Sequence, residues 1–273
     1  MWANNLRLQK SFIFITLTII SVTTWTYMMY LVQTMKMDNM LNAWMPPQTG
    51  YAWSVIDFTQ TFIMWVVMMA SMMMPSVIQM ALSFVTIFNT RNPHKSTYLA
   101  SVFFISGYFL MWLLFSIAMT VLQWQLHEQA ILTPMMESHN LVFSALILIM
   151  AGAYQITTIK SVCLTHCRDT HYISDDCHSS PILMGMHHGV YCVGACWALM
   201  LIMFVVGVMN VMWMSVITFM VLLEKFYPFK LIWLDYISGF SLLIWGAYLL
   251  ITSDFFKLIL PIIELMMWAC SHL

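Results

Sequence analysis

The sequence predicts an all-α fold: a polytopic transmembrane helix bundle of about seven spans. Three observations carry that expectation. Of 273 residues, 62% are hydrophobic and only 8% are charged, where a soluble domain carries about 25% charged residues. The charge-free runs are long, at 11–35, 58–90, 96–127, 138–159, 177–223 and 236–253. They are also continuous rather than alternating with period two, which excludes the strands of a membrane barrel. A net charge of −1 gives no footprint for nucleic acid, and the apolar content excludes disorder.

The first run follows Arg7 and Lys10. It is longer than the ~7–15 residues of a secretory signal core, and residues 21–24 hold no Ala-x-Ala pattern, so it reads as a retained first span. The next three runs each suit one helix. The fifth, 177–223, holds 47 residues. As one helix it would reach about 70 Å, against a hydrocarbon core of ~30 Å, so it must reverse once, near Asn210. Spans are therefore expected near 11–35, 58–88, 98–122, 141–159, 184–209, 211–226 and 233–252, in a single membrane-embedded domain over 1–273. Lys257, Pro261 and Glu264 interrupt 255–270, which is expected to lie along the interface or form an eighth span.

With the N-terminus on the cytoplasmic side, Arg7, Lys10, Arg91, Lys95, Lys160, Arg168, Lys225 and Lys230 face inward, eight of the ten positive charges. That satisfies the positive-inside rule for a multi-pass protein of the cytoplasmic membrane. The outer loops hold His127, Glu128, Glu137 and His139, a sparse acidic and histidine rim. Glu224 and Lys225 read as an interfacial ion pair, with Glu224 as a carboxylate near the inner cluster as the alternative. Asp57 and Asp235 mark helix ends.

Five of six cysteines and five of nine histidines fall between Cys163 and Cys196. If the fourth helix continues past Lys160, Cys163, His166 and Cys167 sit at i, i+3 and i+4 on one face. The fifth helix repeats the device with His188, Cys192 and Cys196, extended by Met200 and Met203 in a stripe roughly 120° wide. His187 or His188 is expected to complete the shell. On the cytoplasmic side these thiols stay reduced. Thiolates and imidazoles suit zinc, copper(I) and iron, and thioethers favour copper(I); copper(I) is the expected ion and zinc the second. His171, Cys177 and His178 lie in the intervening loop and rank below the helical ligands. Thiol redox chemistry is the alternative, but no Cys-x-x-Cys is present. Met64, Met68, Met69, Met72, Met73, Met74 and Met80 of the second helix read chiefly as packing residues.

The segment 64–76 ending Met72-Met73-Met74-Pro75-Ser76, the run from Ala153-Tyr154-Gln155 through Lys160 to Cys163-Leu164-Thr165-His166-Cys167-Arg168, and Gly189-Val190-Tyr191-Cys192-Val193-Gly194-Ala195-Cys196 resemble a bacterial family. It is the family of predicted metal-binding integral membrane proteins, some of whose members are labelled copper chaperones. The resemblance covers roughly residues 55–250. It implies a membrane-embedded metal site with Cys163, His166, Cys167, Cys192 and Cys196 as ligands. Many members carry a second Cys directly before the last one, where this chain has Ala195.

The leading expectation is copper(I) binding with transfer or transport through the inner ends of helices four and five. Its partners would be the lipid bilayer, the metal ion and a membrane-protein or metallochaperone acceptor. No Gly-x-x-x-x-Gly-Lys loop is present to power transport. A metal-dependent membrane enzyme, an assembly factor and a subunit of a larger membrane complex are the alternatives.

Overall fold

The computed structural model describes residues 2–36, 53–91, 96–132, 138, 140–168, 180–226 and 232–253. Among them the chain is all-α, apart from one isolated bridge between Leu132 and Ser138. The helices are α1 (Trp2–Lys36), α2 (Val55–Arg91), α3 (Thr97–Glu128), α4 (Leu141–Gln155), α5 (Thr158–Arg168), α6 (Pro181–Leu201), α7 (Met203–Val206), α8 (Val211–Phe226) and α9 (Ile232–Thr252). The ambiguous stretch 255–270 lies outside the described residues.

Local chemistry sets several boundaries. Ser54 Oγ and N both donate to Asp57 Oδ2, at 2.7 and 2.9 Å, so Asp57 secures the start of α2. Asn140 Oδ1 accepts from Val142 N and Phe143 N to start α4, which satisfies amides that have no intrahelical partner. Pro181 opens α6, where its missing N–H costs nothing. Inside α2, Pro75 cannot donate to the Ser71 carbonyl. The indole of Trp25 on α1 does so instead, at 2.9 Å, which ties α1 to the centre of α2.

Five helices are long and apolar enough to cross a membrane, and the bent pair α4–α5 makes a sixth when taken as one span. The expected span at 211–226 is a helix, α8, but its 16 residues reach only about 24 Å, and it is not among the helices long enough to cross. The reversal expected near Asn210 is present. Gly207 has φ +94°, a conformation that glycine adopts without penalty, and Asn210 Oδ1 accepts from Trp213 N at 3.4 Å to start α8.

One expectation fails. The fourth helix does not run unbroken past Lys160: α4 and α5 meet at a bend of 63°. Thr157 is the cause, since its hydroxyl donates to Tyr154 O (2.7 Å) and accepts from Lys160 N (3.4 Å). It thereby closes one helix and opens the next, competing with the backbone ladder.

α2 lies at the centre. Met64, Met68, Met69, Met72, Met73, Met74 and Met80 are all buried, so its methionines pack the core on both faces. α3 and α6 pack with backbones in close approach: a Cβ on Gly185 would lie 1.9 Å from Phe104 O, and one on Gly107 would lie 2.1 Å from Ile182 O. Small residues at such crossings let helices meet where apolar surroundings give no hydrophobic drive. The outward faces of α1, α3 and α9 carry exposed Phe12, Ile19, Leu114, Ile237 and Ile244.

Candidate metal centre

The α3–α6 contact positions the site. It sets Tyr108 beside Cys192, with the hydroxyl and the sulfur 3.2 Å apart. Lys225, in the last turn of α8, reaches the same sulfur and donates to it at 2.9 Å, and donates also to Ser76 Oγ of α2 at 3.0 Å. Cys167, from the last turn of α5, and Cys196, one turn along α6, are electrostatic neighbours of Cys192. Three buried thiols from two helices thus lie in one neighbourhood, with exposures of 7% for Cys167, 0% for Cys192 and 1% for Cys196. All four described cysteines are free thiols.

His188, one turn before Cys192, is also buried. Its ring stacks on those of Tyr108 and Phe104, with centroids 5.7 and 6.1 Å away, and it interacts electrostatically with Cys192. Beside it a cavity of about 70 Å³ is lined by Ser76, Gln79, Cys167, Arg168, His188 and Lys225 among others. Its walls therefore reach both the thiols and the ammonium.

The remaining expected ligands fall elsewhere. Cys163 is half-buried against Gly194, where a Cβ would come within 3.0 Å of its sulfur. His166 stacks on Tyr191 (4.5 Å) with Nδ1 2.9 Å from Val162 O, and His187 meets the same tyrosine edge-on at 4.9 Å. These two imidazoles gather on Tyr191, roughly 100° around α6 from Cys192. Met200 and Met203 are fully buried in the core that also contains Cys167, Cys192 and Cys196. His171, Cys177 and His178 lie outside the described residues. Among those described, no three His, Cys, Asp or Glu side chains form a ready-made metal-holding group.

Two expectations about charge are corrected. Glu224 and Lys225 do not pair with each other, because consecutive helical residues point about 100° apart. Glu224 faces Lys160 (2.8 Å) and accepts from Gln155, while Lys160 also donates to Asp235 at 2.7 Å. Glu224 is thus engaged away from the thiols. At the other end of the bundle, His127 is not a rim residue: it is 2% exposed, with its ring 5.6 Å from that of Trp53. Glu137 and His139 lie outside the described residues.

Sequence reasoning missed Tyr108 and Ser76, which carry no pattern of their own. Lys225 carried a signal, a charge at the end of an apolar run, but it was assigned the wrong partner.

With this geometry in view, the comparison with known families is decisive on one point. A family model described as copper chaperone matches residues 62–249. The chain belongs to that copper chaperone family. The match runs from α2 to α9 and so includes every sulfur of the cluster. No curated protein and no solved structure matches the chain. Thiol sulfurs are soft donors of the kind that copper(I) prefers.

Proposed function

We propose that this chain is a multi-pass protein of the bacterial cytoplasmic membrane, with about seven spans and its N-terminus inside, that binds copper(I) as cargo and hands it on. Cys167, Cys192 and Cys196 are the primary ligands. His188 stands beside them, Met200 and Met203 extend the soft-donor set outward, and Cys163, His166 and His187 form a separate flank against Gly194 and Tyr191. The observation that supports the reading is that Cys167, Cys192 and Cys196 are buried free thiols on two packed helices. The family description favours handover of the ion over catalysis on it, and a membrane-protein or metallochaperone partner is the counterpart.

The chain's contribution to transfer is positional. Cys192 is fixed from two sides, by Tyr108 and Lys225, whereas Cys167 sits in the last turn of a short helix. An ion passed between sulfurs exchanges one ligand at a time, so a fixed thiol beside a terminal one suits stepwise handover. The cavity next to Cys167 and His188 is the approach. Zinc is the second ion this donor set would take.

The test is metal loading of the purified full chain under reducing conditions. Wild-type protein is expected to bind copper(I) stoichiometrically, and the Cys167→Ser, Cys192→Ser, Cys196→Ser triple variant to lose it. Unchanged stoichiometry in a folded triple variant overturns the reading.

A further inference from the structure

We propose that Lys225 is the built-in counter-cation of the metal site and sets the charge of the ion accepted there: one monovalent ion on two thiolates. The inference rests on the reading of Cys167, Cys192 and Cys196 as ligands, and it names the charge selectivity of that site.

The argument begins with where the lysine points. Its ammonium donates to a sulfur and to a hydroxyl, and among the described residues no carboxylate pairs with it. A lysine charge in an apolar bundle is costly unless a partner balances it. The neighbouring carboxylate cannot serve, because Glu224 is held by Lys160 and Gln155. Lys160, by contrast, has two carboxylates of its own. The ammonium of Lys225 is therefore a positive charge set aside for sulfur.

Charge arithmetic then discriminates between ions. Arg168 on the same cavity wall offsets the surplus carboxylate of the Lys160 pair; two thiolates with a monovalent ion then leave a net charge of −1, and Lys225 brings that to zero. The same two thiolates with a divalent ion are neutral by themselves, and the ammonium leaves +1. A divalent ion regains neutrality only by recruiting the third thiolate, and zinc must then also draw in His188 to complete its tetrahedral shell. Copper(I) is satisfied by two sulfurs. The fixed ammonium thus favours the monovalent, two-sulfur complex without coordinating the metal itself.

The experiment measures copper(I) and zinc affinities of the full chain in detergent, by competition against chromophoric chelators. Lys225→Met is expected to weaken copper(I) binding by about a hundredfold, the loss that follows when one member of a buried charge pair is removed. Zinc binding should weaken less, so that the copper-to-zinc preference falls. Lys225→Arg, which keeps the charge, should retain the preference to within about threefold, a rescue that a merely space-filling lysine does not predict. Ser76→Ala, which removes a partner of the ammonium but no charge, should change little. If Lys225→Met does not fold, the comparison is made with Lys225→Gln. Copper(I) affinity that is unchanged or higher in the neutral variant overturns the inference while the thiol reading stands. Absence of copper(I) binding by the wild type overturns the reading beneath it.

Discussion

Two buried lysines face opposite situations in this bundle, and their difference separates what holds the fold from what is available for chemistry. Lys160 is 1% exposed and ends between Glu224 and Asp235, with Gln155 donating to Glu224 and Ser238. The one ammonium serves two carboxylates, which Arg168 also faces electrostatically, and the set joins α4, α5, α8 and α9. Lys225, the next residue after Glu224 on α8, ends on Cys192 and Ser76. One network is closed and ties helices together. The other is an ammonium resting against the Cys192 thiol and a cavity, and it gains its full complement only when sulfur there carries charge. A single residue step along α8 divides them.

The contrast is sharpest under Lys160→Met. Removing that ammonium leaves Glu224 buried without its cation, which costs about 3–5 kcal/mol in comparable buried pairs. A large drop in unfolding midpoint is expected in detergent, while the copper-to-zinc preference of the protein that remains folded stays as in the wild type. A changed preference with unchanged stability would erase the distinction between the two lysines.

Gly185→Ala probes the scaffold they share. Its Cβ would lie 1.9 Å from Phe104 O, so α3 must shift away from α6, at a cost of about 1–3 kcal/mol. That shift carries Tyr108 away from Cys192. Both thermal stability and copper(I) affinity should fall together, whereas the scaffold account fails if affinity alone responds.

The smallest effect belongs to Tyr108→Phe. It removes the hydroxyl 3.2 Å from Cys192 but leaves the ring against His188 and Trp112. The loss of one hydrogen bond is worth about 0.5–1.5 kcal/mol. Copper(I) affinity should drop severalfold at most, well below the loss in Lys225→Met. Equal losses in both variants would show that hydrogen bonding to Cys192, not charge, governs the site.

Much of this was legible in the sequence, for identifiable reasons. Helix class and the long apolar runs follow from composition and from the absence of period-two alternation. The reversal at Gly207–Asn210 follows from the length of the run 177–223, which cannot cross an apolar layer once. The spacing of His188, Cys192 and Cys196 places them on one stripe of α6 because that helix is regular through all three. The bend at Thr157 was not legible, since a threonine hydroxyl closes one helix and opens another only when the surrounding packing favours it. That bend turns α5, and with it Cys167 meets Cys192 while His166 lands on Tyr191. The partners of Glu224 and Lys225 were misjudged because adjacency in sequence means divergence on a helix. Tyr108 reaches the sulfur only through the close approach of α3 to α6, which no local pattern of α3 announces.

X-ray absorption at the copper edge of the full chain, loaded with one equivalent of copper(I), addresses the ligands themselves. A shell of sulfur scatterers is expected in the wild type, and it should be lost when Cys167, Cys192 and Cys196 are all replaced by Ser. A shell of nitrogen and oxygen alone in the wild type, or a sulfur shell unchanged by the triple replacement, would place the ion away from the cluster around Cys192 and contradict the account.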